Sequence, residues 1–167
     1  ESADCTDVCA PGWTGSPGDC TVCAAGTYKA ENGSASCSSC PTNSNSLQEG
    51  QSSCTCNVGY ERGADGMCAS CGQGKYKESQ GDGPCTSFDA GSYSLDVGAT
   101  SQSMCIPCVE GKYSVRVDRS CADCPANSVS PAASVTLSDC ECASGYTGSN
   151  GTCKACEEGT YKVYPGD

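Results

Sequence analysis

Hydrophobic and polar positions alternate along this chain only over very short stretches. No segment repeats apolar residues at the three- and four-residue spacing of an amphipathic helix. Short extended pieces such as 113–117 lie between runs rich in Gly, Ser, Asn and Thr, for example 42–46 and 126–131, and such runs are typical of turns and loops. The pattern therefore predicts a chain that is mostly coil, with short two-stranded β-hairpins.

Cysteine is the residue that must replace a conventional core. The chain has 19 cysteines in 167 residues, but only one Phe, one Trp and two Met. So little bulky apolar material cannot build one large hydrophobic interior, and a cysteine content this high is typical of a disulfide scaffold. Because disulfides persist in oxidising compartments, we expect an extracellular or cell-surface location.

Charge and hydropathy exclude several classes of partner. The net charge is −11, there is no histidine, and the nine basic residues are scattered. An anionic partner such as a nucleic acid or a lipid surface is therefore not expected. No apolar run approaches the roughly 20 residues that span a membrane, so we expect no membrane insertion by this segment. Residue 1 is Glu and no signal peptide is present, which favours a mature fragment or a piece of a longer protein.

Self-comparison shows an internal repeat of about 85 residues. Four cysteine motifs recur at offsets of 84 to 86, and the first of each pair starts at Cys20, Cys37, Cys54 or Cys68. We predict two repeat units, 1–82 and 83–167. Within each unit a smaller motif, C-x-x-C-x-x-G-x-Y, starts at Cys20, Cys68, Cys105 and Cys153. A degenerate copy starts at Cys85 and has Phe88 in place of its second cysteine.

These motifs resemble known extracellular modules. Cys54-x-Cys56-x-x-Gly59-Tyr60, closed by Cys68, is similar to the second half of an EGF-like module. With the C-x-x-G-x-Y start and a C-x-x-C-P middle, the pattern resembles the ephrin-receptor-like cysteine-rich repeat, and also the tumour-necrosis-factor-receptor cysteine-rich domain. The resemblance covers the cores 20–71 and 105–156. It implies tandem EGF-like modules in an elongated rod.

An EGF-like module implies the disulfide order one-to-three, two-to-four and five-to-six. Carried onto this chain, that order gives Cys23–Cys40, Cys37–Cys54, Cys56–Cys68, Cys108–Cys124, Cys121–Cys140 and Cys142–Cys153. The main alternative is sequential pairing, Cys23–Cys37 and Cys40–Cys54, and sequence does not distinguish the two.

The remaining cysteines lie outside the EGF-like cores or at their edges. Cys71 and Cys85 are expected to close the linker between modules, and the Cys9–Cys20 loop resembles the Cys56–Cys68 loop. Asp89 is taken as the counterpart of Cys9, which leaves Cys105 without an assigned partner. Cys5 and Cys156 are candidates for disulfides between consecutive units, within one longer chain or between chains.

The sequence offers little for catalysis or cofactor binding. Nucleophile–base pairs usually need histidine, and there is none, so we expect no enzyme activity and no cofactor. Zinc is disfavoured because the cysteines form a disulfide framework, and the acidic cluster of calcium-binding EGF modules is absent before Cys20 and Cys105. Asn32 and Asn150 start N-glycosylation sequons, so N-linked glycans are expected.

Two functions fit these observations. The first is a structural segment of an extracellular filament or stalk, built from tandem disulfide-stapled repeats, in which the chain's partner is itself, as a homopolymer or a longer array. The alternative is the ligand-binding ectodomain of a cell-surface receptor. In that case the candidate contact residues are Trp13, Phe88 and Tyr93, where the two copies differ; the other role considered for them is packing at the module junction.

Overall fold

The chain folds as a series of short antiparallel β-hairpins. The computed structural model describes residues 8–117, 120–149 and 151–166. In these ranges it has nine two-stranded sheets and no α-helix, only single 3₁₀ turns at Gln102–Met104 and Leu137–Asp139. Numbered along the chain, hairpins 1 to 9 are Trp13–Ser16 with Asp19–Val22 (β1, β2), Thr27–Tyr28 with Ser38–Ser39 (β3, β4), Ser44–Asn45 with Thr55–Cys56 (β5, β6), Tyr60–Arg62 with Cys68–Ser70 (β7, β8), Lys75–Tyr76 with Thr86–Ser87 (β9, β10), Ser92–Tyr93 with Ile106–Pro107 (β11, β12), Lys112–Tyr113 with Ala122–Asp123 (β13, β14), Ser128–Val129 with Glu141–Cys142 (β15, β16), and Tyr146–Ser149 with Thr152–Ala155 (β17, β18).

The hairpins fall into two compact units. Unit 1 comprises Glu1–Ser70 and Ser79–Pro84, and contains hairpins 1 to 4. Unit 2 comprises Cys71–Glu78 and Cys85–Asp167, and contains hairpins 5 to 9. Each unit is thus a set of small sheets, and the small disulfide-rich fold predicted from the sequence is confirmed.

Eight of the nine hairpins are closed by a disulfide of their own. An opening cysteine lies three or four residues before the first strand, and a closing cysteine lies just before or within the second strand. The pairs are Cys9–Cys20, Cys23–Cys37, Cys40–Cys54, Cys56–Cys68, Cys71–Cys85, Cys108–Cys121, Cys124–Cys140 and Cys142–Cys153. Their Cα atoms are 5.5–5.7 Å apart, within the range that a disulfide spans without strain.

The interleaved EGF-like pairing is wrong for the second to fifth cysteines of each core, where the structure has the sequential order. The four disulfides that do not exist are Cys23–Cys40, Cys37–Cys54, Cys108–Cys124 and Cys121–Cys140. The reason is local. In each C-x-x-C pair one cysteine closes a hairpin and the other opens the next, so Cys37 lies beside Cys23 once Tyr28 pairs with Ser38. Interleaved pairing would need contacts between different hairpins.

Sulfur takes the place of a hydrophobic core. The buried apolar residues of the described part of the chain are Phe88, Ala99 and ten cysteines: Cys9, Cys23, Cys54, Cys56, Cys68, Cys71, Cys85, Cys108, Cys140 and Cys142. All ten cysteines belong to the eight disulfides. Because strands of two to four residues bury little apolar surface, the disulfides must supply the stability that apolar burial does not provide.

Each hairpin begins with a turn that needs a left-handed residue. The third residue after each of the nine opening positions has φ between +62° and +82°; these residues are Gly12, Gly26, Asn43, Gly59, Gly74, Gly91, Gly111, Asn127 and Gly145. Gly159, three residues after Cys156, has a similar φ of +85°. The following amide donates to the carbonyl three residues back, for example Thr27 to Ala24 at 3.0 Å. These are features of a type II turn, whose third position favours Gly or Asn.

The same turn residue connects neighbouring hairpins within a unit. In unit 1 the Gly12 N–H donates to the Lys29 carbonyl at 2.9 Å, and the Gly12 carbonyl accepts from the Cys23 N–H at 2.8 Å. In unit 2 the Gly111 N–H donates to the Ser130 carbonyl at 2.9 Å, and the Gly111 carbonyl accepts from the Cys124 N–H at 2.8 Å. Each turn is therefore part of a backbone hydrogen-bond ladder.

We predict that Gly91→Ala is much more destabilising than Gly111→Ala. Both glycines have left-handed backbones, which cost an alanine about 1 kcal/mol. A Cβ at Gly91 would also lie 2.1 Å from the Ala133 carbonyl oxygen, whereas no atom lies within 4 Å of one at Gly111. Amide hydrogen exchange should show a much larger loss of protection in Gly91→Ala than in Gly111→Ala, and equal losses in the two variants would contradict this packing.

Candidate functional site

Hairpin 6 is the one hairpin in the described chain without a disulfide. Its opening position is occupied by Phe88, and its closing position by Cys105, which has no disulfide partner. The Phe88 N–H donates to the carbonyl of Gly74, the turn residue of hairpin 5, at 3.0 Å, just as the N–H of Cys108, which opens hairpin 7, donates to Gly91, the turn residue of hairpin 6. Cys105 is thus unpaired because Phe88 stands at the position where its partner cysteine would be. Comparison of the two sequence copies placed the missing cysteine at Asp89, one residue after the position that the structure shows.

Phe88 packs in place of the missing disulfide. Its side chain is 4% exposed, and its ring stacks on Tyr76 with ring centroids 4.9 Å apart. Such aromatic pairs contribute about 1 kcal/mol beyond their burial. The hypothesis that Phe88 is an exposed contact residue is therefore wrong, and packing, the other role considered for it, is what the structure shows.

Hydrophobic side chains are concentrated at the surface around hairpin 6. Ile106 is 53% exposed and Val109 is 61% exposed. With Tyr93, which pairs with Ile106 across the hairpin, and Pro107, they line one side of an open groove of about 460 Å³ in unit 2. We call these four residues the hairpin-6 face. Further exposed side chains nearby in sequence are Leu95, Val97, Met104 and Val115.

Charged groups form the other side of this groove. Lys112 and Asp123 lie directly opposite each other in hairpin 7 and form an ion pair. Both side chains are exposed to solvent, so the pair contributes less than about 1 kcal/mol to stability. The groove is thus lined both by apolar side chains and by an ion pair.

Trp13, the remaining candidate contact residue, lies apart from the hairpin-6 face in sequence. It is 43% exposed in β1 and pairs with Val22 in hairpin 1 of unit 1.

Lys29 is a buried lysine, and its Nζ donates a hydrogen bond to the Trp13 carbonyl at 2.7 Å. The same ammonium group donates to the Cys9 and Ala10 carbonyls, so Lys29 has a structural role. Sequence reasoning missed it, although Tyr-Lys recurs at Tyr76-Lys77 and Tyr161-Lys162.

Three other charged side chains, Arg62, Asp82 and Asp139, also interact with the backbone. Arg62 forms an ion pair with Asp82 at 2.7 Å, and Asp82 accepts a hydrogen bond from the Cys56 N–H at 3.0 Å. In unit 2, backbone N–H groups of Thr136 and Val135 donate to the Asp139 carboxylate and lower its pKa below the usual value. These residues organise turns and do not form a catalytic cluster.

The described residues include only some of the remaining sites that the sequence predicts. Asn32 is exposed in the loop of hairpin 2, while Asn150 lies outside the described residues. Cys5 also lies outside them, and Cys156 has no disulfide partner, so the predicted disulfide between units stays a prediction. In the described ranges no three His, Cys, Asp or Glu residues are arranged to hold a metal ion, and no helix has the length and hydropathy to cross a membrane.

Comparison with known proteins gives a partial similarity to one receptor class. The similarity is to ephrin receptors. Ephrin type-A receptor 4-B of Xenopus laevis is 46% identical over 55 residues, which is 33% of this chain. Human ephrin type-B receptor 4 is 46% identical over 56 residues, 32% of this chain, and ephrin type-B receptor 3 of Xenopus laevis is 42% identical over 57 residues, 33% of this chain. The matched segment is only 6% of each receptor's length. No protein-family model matches the chain.

Proposed function

We propose that this chain is a cysteine-rich segment of a receptor-type extracellular protein, and that it binds a protein partner through the hairpin-6 face. The observation that carries the proposal is the open groove of unit 2, in which Tyr93, Pro107 and the exposed Ile106 and Val109 lie beside the Lys112–Asp123 ion pair. The similarity to ephrin receptors supports the receptor setting. Eight disulfides support an oxidising, extracellular location.

The physical argument concerns the apolar surface that a partner would cover. The half-exposed Ile106 and Val109 would each gain about 1 kcal/mol on being covered by a partner. The adjoining Lys112–Asp123 pair would fix the orientation of that partner. We propose no catalytic role and no cofactor for the chain.

The test compares two double variants of the fluorescently labelled chain in a cell-binding assay. Ile106→Glu/Val109→Glu places charge on the hairpin-6 face. Leu47→Glu/Val58→Glu makes the same change on exposed side chains of unit 1. Cells that express ephrins, the ligands in the names of the similar receptors, are compared with cells that do not.

We expect saturable binding that the hairpin-6 variant reduces at least tenfold and the unit 1 variant leaves intact. Binding restricted to ephrin-expressing cells would identify the partner class, and binding to both would indicate another protein. Absence of saturable binding, or equal loss in both variants, would contradict the proposal.

A structural role in a tandem array is the second candidate, and a specific observation favours it. Residues after Cys156 repeat the start of a hairpin: Gly145 donates to the Lys162 carbonyl at 2.9 Å and accepts from the Cys156 N–H at 2.9 Å. The ladder pattern thus continues past hairpin 9. Negative-stain imaging of native material distinguishes the two, since an array predicts uniform fibres and a receptor segment predicts separate particles.

A further inference from the structure

Equivalent grooves occur beside hairpins 3 and 8, which hold the same place in the two copies. Asn45 lies five residues after Cys40, and Val129 lies five residues after Cys124. Gln80 lies nine residues after Cys71, and Pro165 lies nine residues after Cys156. The hairpin-3 groove is in unit 1 and is lined by Asn45, Ser46, Leu47, Gln48, Gln51, Ser53, Thr55 and Gln80. The hairpin-8 groove is in unit 2 and is lined by Glu110, Gly111, Val129, Ser130, Pro131, Glu141 and Pro165.

A side chain crosses the hairpin-3 groove and satisfies its polar groups. Nε2 of Gln80 donates to the Asn45 carbonyl at 2.7 Å and to Oγ1 of Thr55 at 2.9 Å. Asn45 and Thr55 are directly opposite each other in the hairpin. With Gln80 in this position, about 290 Å³ of the groove stays free.

The hairpin-8 groove lacks that crossing side chain. Pro165 stands where Gln80 stands in the first copy, and proline has no side-chain donor. The cross-strand pair Asn45–Thr55 is replaced by Val129–Glu141. The groove is larger, about 440 Å³, and its surface is mainly apolar.

Two carboxylates line the hairpin-8 groove together with its apolar residues. Glu110 and Glu141 line the groove, both are exposed, and neither forms an ion pair with another described residue. No basic residue of the described ranges lines the groove. A cation on an aliphatic stem matches this arrangement, since its charge would lie between the carboxylates and its methylenes over Val129 and Pro165.

We propose that the hairpin-8 groove is a docking site for an extended protein segment that carries an arginine or lysine between aliphatic residues. The inference goes beyond the proposed function, because the groove shares no lining residue with the hairpin-6 face. The carboxylates of the groove would select a positively charged partner. The net charge of −11 favours the approach of a basic partner.

The test uses the ¹⁵N-labelled chain and the peptide acetyl-Pro-Val-Arg-Val-Pro-amide, with the glutamate analogue of the peptide as a control. We expect chemical-shift changes at the amides of Gly111, Ser130 and Glu141, and none at Ser46 or Thr55 in the equivalent groove. The glutamate peptide should produce none, and raising the salt to about 0.5 M should weaken binding of the arginine peptide.

A pair of charge-matched variants tests the carboxylates. Glu110→Gln/Glu141→Gln should weaken peptide binding about tenfold, because two exposed ion pairs are lost. Glu31→Gln/Glu49→Gln removes the same charge from unit 1 and should leave binding within twofold. Ile106→Ser/Val109→Ser, which changes the hairpin-6 face without adding charge, should also leave it unchanged, and this separates the groove from the hairpin-6 face.

Three results would overturn the proposal. The first is no shift change at millimolar arginine peptide, with all variants showing the folded spectrum. The second is equal weakening by the two Glu→Gln pairs, which would mean nonspecific attraction to a negative chain. The third is equal binding of the glutamate peptide. Failure of peptide binding with retained cell binding would leave the proposed function intact.

Discussion

Replacing both Cys23 and Cys37 by alanine is expected to destabilise hairpin 2 by about 3 kcal/mol, the value for closing a loop of about 15 residues. The effect is large because the hairpin's strands, Thr27–Tyr28 and Ser38–Ser39, are two residues each and hold few other contacts. Thermal unfolding and amide hydrogen exchange around Gly26 measure it. Cys105→Ala, which removes an unpaired thiol, is the control and should change stability little.

The same double variant distinguishes the two pairing orders. With sequential disulfides, Cys23→Ala/Cys37→Ala leaves Cys40–Cys54 in place and exposes no new thiol. With interleaved pairing it would release two thiols, one at Cys40 and one at Cys54. A thiol assay under denaturing conditions that finds two additional thiols would contradict the structure.

Phe88→Cys is expected to create a ninth disulfide, with Cys105. Phe88 holds the opening position of hairpin 6, and Cys105 holds its closing position. Intact mass should fall by the two hydrogens lost on oxidation, relative to the reduced variant, and Cys105 should stop reacting with thiol reagents.

Phe88→Ala is the matched control for that experiment. It also removes the stacking with Tyr76, and we expect it to cost about 3 kcal/mol, as for a buried phenylalanine. Because a disulfide across roughly 18 residues contributes about 3 kcal/mol, Phe88→Cys should be more stable than Phe88→Ala by that amount. If Phe88→Cys instead shows two reactive thiols, the assignment of Phe88 and Cys105 to the opening and closing positions of hairpin 6 is wrong.

The fold class was predictable because its signals are local. Turn residues such as Gly26 and the short polar runs between cysteines indicate hairpins without any long-range information. The pairing order was not predictable, since Cys37 and Cys40 differ only in which hairpin each one serves. The EGF-like resemblance supplied an order that this chain does not have.

The partner of Cys105 was missed because the start of the two copies was aligned on Cys5 and Cys85. That alignment has an offset of 80 residues and places the counterpart of Cys9 at Asp89, four residues after Cys85. In the structure the opening position of hairpin 6 lies three residues after Cys85. Counted hairpin by hairpin, the loss falls on Phe88.

The candidate sites depend on tertiary contacts that a sequence pattern does not contain. Phe88 and Tyr93 are both aromatic residues at positions where the copies differ, yet one is buried against Tyr76 and the other lines a groove. Likewise the difference between the hairpin-3 and hairpin-8 grooves depends on Gln80 reaching back to Asn45. Only the folded chain shows that Pro165 leaves the second groove open.

Disulfide mapping by mass spectrometry of peptides from the unreduced chain tests the central claim most directly. The account predicts that every mapped disulfide closes a single hairpin, with Cys23 linked to Cys37, Cys40 linked to Cys54, and Cys105 unlinked within the chain. Peptides that join Cys23 to Cys40, or Cys37 to Cys54, would contradict it.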